Sequence, residues 1–552
     1  MTRDATPRTP VSRHRLSVGL RWPSERIAAL HRLPIRSVWA ARCVLRCAPM
    51  AARSLRHLIR DATPGPDPMK PFAAIDQGTT STRVLLAGAG AAAQVLLALR
   101  HGQHYPHPGW VEHAPLEIWA NVQACLHAAG QVQAIGIANQ GESCLAWDAR
   151  SGAPLSPVIV WQDNRTEQQL AQLRAEGAQA LTLERAGLPL DSYFSAAKLG
   201  WLLRHDAAVA QAHRCGRLRL GTTDAFLLER LTGQFVTDAT TASRTSLMNL
   251  ASAAWDPALC ALFGVPMECL PRIVPTVGEF GSYRGTAVTA SIVDQQAALY
   301  GHGCRAAGEA KITFGTGAFA LALTGAQIVR APALGLLPTL AWQIGGQITY
   351  ALDGGVYDAG AAVEWAARLG LFQELAELAA FSAAPAIARG LVFVPALSGL
   401  ACPHWDRSAA ALWLGMNAAT TRQDLCQALL EGVAMRAAQV IRAMAGHVGM
   451  ASRLAIDGGL ARNPYFCQFL ADMLGRTIVT SRFDERTALG CAALAARGAG
   501  QLLPTQADDM ADSFEPRITP GQAQDWQLRF DAAVSKTMGW KREPSGPAPG
   551  PP

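Results

Sequence analysis

The stretch "AAIDQGTTSTRVLL", residues 73–86, is a run of small apolar residues that ends in an aspartate, passes through Gly-Thr-Thr-Ser and resumes as a second apolar run. This pattern predicts two strands joined by a tight hairpin. A plain chain reversal favours Asn-Gly or Asp-Gly at its tip. Here the turn carries a carboxylate (Asp76), a glycine (Gly78) and three hydroxyls (Thr79, Thr80, Ser81). Turn N–H groups aimed at one point form an anion nest, and glycine lets a phosphate approach closely. A carboxylate beside such a nest repels phosphate unless a cation sits between them, so Asp76 implies Mg²⁺ held through water.

The design recurs along the chain. "VQAIGIANQGES" (132–143) and "SPVIVWQDNRT" (156–166) read as strands running into polar loops. Helical spacing begins at Pro115, and "YFSAAKLGWLLRH" (193–205) reads as a short helix. A second cycle opens near 290. "TASIVDQQAALYG" (289–301) is an apolar run ending in Asp294, and "AKITFGTGAFALALTG" (310–325) is strand, Gly-Thr-Gly turn, strand. "RLAIDGGLARNPYFCQFLADML" (453–474) is strand, Asp-Gly-Gly turn, helix. Strand, polar loop and helix in alternation is α/β grammar. The repetition predicts two similar domains, 69–301 and 302–540, facing each other. Turns 76–81 and 314–317 would grip a polyphosphate from two sides, with 457–459 close to a phosphate or nucleoside.

Other nucleotide and metal signatures are missing: there is no GxxxxGK[ST], no GxGxxG opening a helix, and no HExxH. No apolar run is long enough to predict membrane insertion. Twelve scattered cysteines without a CxxC pair read as reduced thiols of a cytosolic protein. The net charge of +7 is misleading, because residues 1–68 hold thirteen arginines, no lysine and four acids, which leaves the rest of the chain at −2. The main body therefore gives no support for a nucleic-acid partner. The Arg-rich segment 1–68 suits a transit peptide, or upstream DNA translated because the start was set too early; Met69, just before the first strand, is the favoured start. Residues 541–552 read as a disordered tail.

Taken in order, these motifs resemble the FGGY family of carbohydrate kinases, within the actin-like (ribonuclease H-like) ATPase fold, and within that family the glycerol kinases. The resemblance runs from about 70 to 540. It rests on "DQGTTSTR", "YPHPGWVEHAPLEIW" (105–119), "VIVWQDNRT", "YFSAAKLGWLLRH", "GTTDAFLLERLTG" (221–233), "TASRTSLMNL" (241–250), "DQQAALYG", "FGTGAF" (314–319), "DGGLARN" and "TALGCAALA" (487–495). It implies ATP and Mg²⁺ as cofactors, a small polyol as substrate, a cytoplasmic enzyme and a homodimer or homotetramer. It makes Asp294 the general base on the attacking hydroxyl, with Gln295 beside it. Trp161, Tyr193 and Phe319 would wall the polyol, and Glu142 would accept from its hydroxyls. Thr79, Thr80, Ser81, Arg83, Gly315 and Thr316 would hold phosphates, and Gly360, Gly459 and Asn463 would line the nucleotide cleft.

Each residue also has a structural reading. Trp161 and Phe319 could be core aromatics, Tyr193 a helix–helix contact, Glu142 a solvated loop acid and Asp294 a helix N-cap. The chain departs from the family pattern at Gly141, where an arginine is usual, which leaves a kinase for erythritol or a ketopentose as the alternative. It departs again at Glu364, where a glutamine is usual. "GSYRGTAVTA" (281–290) lacks the Gly-Gly-Thr-Arg that binds fructose bisphosphate in some bacterial members. A third alternative is a catalytically weak actin-like sensor of nucleotide and ligand.

Overall fold

The opening stretch forms the expected hairpin: strands β1 (Phe72–Gln77) and β2 (Ser81–Gly88) pair antiparallel, with Asp76 opposite Arg83. The computed structural model describes residues 70–88, 90–504 and 510–541. The readings made for residues 1–68, for Met69 and for 542–552 fall outside them. With β3 (Ala91–Arg100), β4 (Ala134–Asn139), β5 (Ser282–Tyr283) and β6 (Thr286–Val293), the hairpin builds a six-stranded sheet of order β5-β6-β4-β1-β2-β3. Strands β4 and β6 run parallel to β1, β2 pairs antiparallel with β1, and β3 pairs antiparallel with β2.

Both faces of this sheet are covered, and the two-residue strand period sorts its side chains between two cores. Ala73, Ile75, Val84, Ile135 and Ile137 point to one side. There they meet helix α1 (Pro115–Ala129), whose buried Ile118, Val122, Cys125, Leu126 and Ala129 recur at helical spacing. Pro115 in its first turn and Gly130 just past its end (φ 66°) set its limits. Ala74, Leu85, Ala138 and Ile292 point to the other side.

The second half repeats the plan. Strands β7 (Ala310–Phe314), β8 (Ala318–Gly325), β9 (Leu337–Ile344), β10 (Gln347–Val356), β11 (Arg453–Gly458), β12 (Thr477–Ser481) and β13 (Met510–Phe514) lie in the order β9-β10-β8-β7-β11-β12-β13. Here β7 has β8 antiparallel on one side and β11 parallel on the other, as β1 has β2 and β4. The core of this lobe forms around the helices Arg422–Ala445 and Pro464–Leu474, with Phe314 against Phe466 edge to face at 4.8 Å.

Two helices lie between the sheets: α2 (Asp294–Gly301), which continues β6, and α3 (Arg486–Gly498). Ala297, Leu299, Ala488, Cys491 and Ala492 share one core with Leu85 and Ile292 of the first sheet and Leu321, Leu323 and Ala351 of the second. The contacts leave no room for side chains. A Cβ on Gly136 would sit 2.8 Å from the Cys491 carbonyl, one on Gly490 1.9 Å from the Ala297 carbonyl, and one on Gly301 2.0 Å from the Arg486 carbonyl. The run of small residues "TALGCAALA" is thus a consequence of distance. A four-stranded sheet on the first lobe holds Val158–Ile159, shorter than the sequence suggests. Pro157 precedes it, and Asp163, which accepts from Val111 N at 2.6 Å, turns the chain just after.

Candidate active site

Three turns come to the ends of the central strands. In the first, Gly78 N donates to the Ser81 carbonyl (3.0 Å). His101 supports it from behind, its Nε2 3.0 Å from the Thr79 carbonyl and its backbone N donating to Thr80 O. Thr80 is exposed and Ser81 buried. The second, Gly315-Thr316-Gly317, exposes Gly315 and Thr316, buries Gly317, and is braced by the start of helix Gly360–Arg368. Gly360 N donates to Gly315 O (3.0 Å), and Ala359 N and Ala361 N donate to Thr316 O. A Cβ on Gly360 would meet Gly315 O at 2.5 Å, so the glycine there serves a close backbone contact. The third follows β11, whose Gly458 pairs with Phe314 of β7, so turns two and three adjoin. Gly458 has φ 90°, and nothing lies within 4 Å of a Cβ on Gly459, which leaves that backbone open to approach. Asn463 caps helix Pro464–Leu474, accepting from Phe466 N (2.9 Å) and donating to Leu378 O (2.8 Å).

Arg83, assigned to phosphate by resemblance, is engaged within the protein. Its Nη1 lies 2.7 and 2.6 Å from the two Glu485 carboxylate oxygens, its Nη2 donates to Ser81 Oγ, and its Nε is 3.7 Å from Asp76. Glu364 is exposed on its helix.

On the other side of the cleft, the loop after β4 holds Glu142 at φ 61°, a left-handed conformation that costs energy in a side-chain-bearing residue. Ser195 Oγ fixes it by donating to its carbonyl at 2.9 Å. The carboxylate is buried and accepts from Arg244 Nε at 2.6 Å, so Glu142 is not a solvated loop acid. Arg244 Nη2 reaches on to Asp353 of β10 at 3.0 Å, joining the two lobes. Burial opposes the Arg244 charge, but Glu142 and Asp353 outweigh it and hold the guanidinium above its ordinary range. Trp161 packs edge to face on Tyr193 at 5.5 Å, and its Nε1 donates to Thr79 Oγ1 at 3.0 Å, tying this wall to the first turn. Trp161, Tyr193, Arg244, Phe319 and Asp353 border a cavity of about 350 Å³, within the range of small-molecule sites. At its inner end Glu142, Asp294 and Gln295 line, together with Tyr193, Arg244, Phe319 and Asp353, a separate small pocket of about 20 Å³, room for a single water.

Asp294 opens α2 and accepts from Gln295 N at 2.6 Å. Burial pushes its carboxyl up to about 7, Asp76 and Glu142 push the same way, and Gln295 N–H and Lys311 pull back. Asp76 is raised to about 6, first by burial, against the pull of Arg83. Lys311 is buried in β7, its Nζ donating to Gln295 Oε1 (2.5 Å) and Thr313 Oγ1 (2.7 Å). Burial lowers its pKa, while Asp457, Asp294 and Asp353 resist. Asp457 in turn accepts from or pairs with His302 Nε2 at 2.6 Å. Charges from both lobes therefore face one another across the cleft, from Asp76 through Asp294 and Lys311 to Asp457. Asp353, Arg244, Lys311 and His302 were not singled out from sequence. Lys311 did leave a signal, being one of five lysines in a chain with 44 arginines and standing inside an apolar strand.

Among the described residues, no three His, Cys, Asp or Glu side chains group as a metal site. Asp76 alone fits Mg²⁺ of the kind that takes one carboxylate and fills its remaining positions with water and substrate phosphate.

Two facing lobes of this topology, with phosphate-type turns at the ends of their first hairpins, define a two-domain ATPase of the actin-like, ribonuclease H-like fold. The chain belongs to the FGGY family of carbohydrate kinases: the N-terminal domain of that family matches residues 72–301 and the C-terminal domain residues 310–499. It is 40% identical over 494 residues to the glycerol kinase of Alkalilimnicola ehrlichii, covering 86% of this chain and all of that protein. With the glycerol kinase of Thermus brockianus it shares 42% identity over 496 residues, again 86% of this chain and all of the relative. The crystal structure of Plasmodium falciparum glycerol kinase with ADP superposes with a TM-score of 0.79 at 30% identity, over 85% of this chain and 98% of that one.

Proposed function

We propose that the protein transfers the γ-phosphoryl group of ATP to a terminal hydroxyl of glycerol, giving glycerol 3-phosphate and ADP. The observation that carries this reading is Asp294, a half-buried carboxylate whose pKa desolvation raises to about 7, at the inner end of a cavity walled by Trp161, Tyr193 and Phe319 and tied through Trp161 to the first turn. A small polyol presents C–H faces to aromatic rings and hydroxyls to carboxylates and amides. Asp294 accepts the proton of the attacking hydroxyl as that oxygen bonds to the γ-phosphorus, and Gln295 and Glu142 fix the substrate. Thr79, Thr80, Ser81, Gly315 and Thr316 position the phosphates for in-line transfer, which asks mainly for placement and charge neutralisation. Gly360, Gly459 and Asn463 border the nucleotide. Asp76 would hold Mg²⁺ through water, and the bound ion would supply the positive charge that lets this carboxylate and the phosphates sit together. The reading carries with it a cytoplasmic enzyme acting as a homodimer or homotetramer. Among the described residues no helix is long and apolar enough to cross a membrane.

A kinase for a larger polyol is the second reading, favoured by Gly141 and by a cavity larger than a triol fills. The ordered phosphate turns and the seated Asp294 argue against a catalytically weak sensor. An ADP-release assay over glycerol, erythritol and ketopentoses separates the three. Glycerol is expected to give the highest kcat/KM; a better C4 or C5 substrate would overturn the first reading, and no turnover with any would leave the sensor.

A further inference from the structure

We propose that Arg244 is a substrate-binding residue, the guanidinium that orients the polyol in this site by reading a hydroxyl beyond the one that is phosphorylated. The inference rests on the polyol-kinase reading above and adds to it a residue and a recognition rule.

Arg244 is 4% exposed. Its Nε is used by Glu142 and its Nη2 by Asp353, but its buried Nη1 has no hydrogen-bond partner. A buried guanidinium nitrogen without an acceptor costs energy comparable to a lost charged hydrogen bond. The side chain borders both the main cavity and its inner end beside Asp294. The wall of the cleft thus holds a guanidinium with one unpartnered nitrogen, packed beside the Tyr193 and Phe194 rings (5.7 and 5.6 Å) at the border of the space where the substrate belongs. Position 141 supplies no competing group, and even a Cβ there would press on Val293 Cγ1 at 3.1 Å.

The neighbours of Arg244 define what it reads. Nη1 needs an oxygen lone pair, while Glu142 and Asp353 beside it need protons. A neutral hydroxyl satisfies both, since it accepts from nitrogen and donates to oxygen. A ketone or ether oxygen would accept from Arg244 but face the carboxylates with nothing to donate. An ammonium would be repelled by Arg244, and a phosphate by the carboxylates. The pocket therefore selects a neutral vicinal polyol. Sites built to bond a substrate hydroxyl discriminate strongly against analogues that lack it, because the site's own groups are left unpaired. Because Asp353 belongs to the second lobe and Glu142 to the first, Arg244 is set in place only with both lobes together.

The test compares glycerol with propane-1,2-diol, which lacks one terminal hydroxyl, on the full-length wild type, Arg244→Gln and Arg244→Lys. The wild type is expected to favour glycerol by about 100-fold or more in kcat/KM. In Arg244→Gln the preference should fall below about 10-fold, chiefly through a raised glycerol KM, with the KM for ATP changed less than about threefold. Arg244→Lys should be intermediate. ADP binding by calorimetry reports whether each variant is folded, and glycerol binding without nucleotide should weaken about tenfold or more in Arg244→Gln. Equal loss on both substrates, or an unchanged glycerol KM, would overturn the inference while leaving the polyol-kinase reading intact. If the wild type neither turns over nor binds any polyol, both fall. Should Arg244→Gln fail to bind ADP, Arg244→Lys decides alone: retention of the full wild-type preference counts against the proposal.

Discussion

In the proposed transfer Asp294 has to be charged to accept a proton, yet its surroundings favour the neutral acid. With a carboxyl near pH 7, kcat/KM measured at limiting polyol should climb as pH rises through about 7 and then level off. Asp294→Asn should lower turnover roughly 10²–10⁴-fold without loss of folding. The same shift acts on stability. A carboxyl raised from 3.8 binds its proton more tightly folded than unfolded, so the stability it contributes is full below about pH 3.8 and is lost as pH rises through 7. In ligand-free protein, Asp294→Asn should therefore raise the Tm at pH 8 and raise it less at pH 5, as differential scanning calorimetry would show; a lower Tm at pH 8 would contradict the burial argument. Sequence made Asp294 visible because an apolar run ends there. Arg244 stayed hidden although its segment was in plain view, since its meaning comes from Glu142 and Asp353, more than a hundred residues away on either side. Arg83 shows another limit of sequence: its place in the first hairpin suggests a phosphate, while its pairing with Glu485, 402 residues further on, appears only in the fold.

At the level of elements, the hairpins and their order could be read directly, because strand period, glycine and hydroxyl content are local properties. The position of α3 could not. Its small residues signal close packing but not what it packs on, and the answer is the first sheet on one side and α2 on the other, in a core that the second sheet completes. Gly490→Ala would force a Cβ to 1.9 Å from a backbone carbonyl of α2, which only separation of the helices can relieve. A cost of about 3 kcal/mol is expected, measurable as a lower urea midpoint. Because α2 begins at Asp294, the variant should also lose activity beyond its loss of folded protein. Gly459→Ala makes a useful control, since nothing lies near its Cβ and stability should hardly change.

For the whole molecule, the repeated sheet order places two equivalent hairpins face to face, and the paired lobes are joined at the cleft by Arg83–Glu485 and Arg244–Asp353. Closing such a cleft excludes water that would otherwise take the phosphoryl group. Regulation belongs to this scale too. The stretch 281–290 contains an edge hairpin, Ser282–Tyr283 on Thr286–Ala287, and no Gly-Gly-Thr-Arg. Fructose 1,6-bisphosphate should leave the steady-state rate unchanged; strong inhibition would refute this expectation.

The helix wedged between the sheets has a further consequence for anyone dividing the gene. Residues 69–301 produced alone would expose the bare backbone of Gly136 and the apolar face around Ala74, Leu85 and Ile292, and should collect in inclusion bodies. Supplied in the same cell as a separate polypeptide, residues 302–541 would bring the missing wedge, and the two pieces should assemble into a working enzyme without a peptide bond between them.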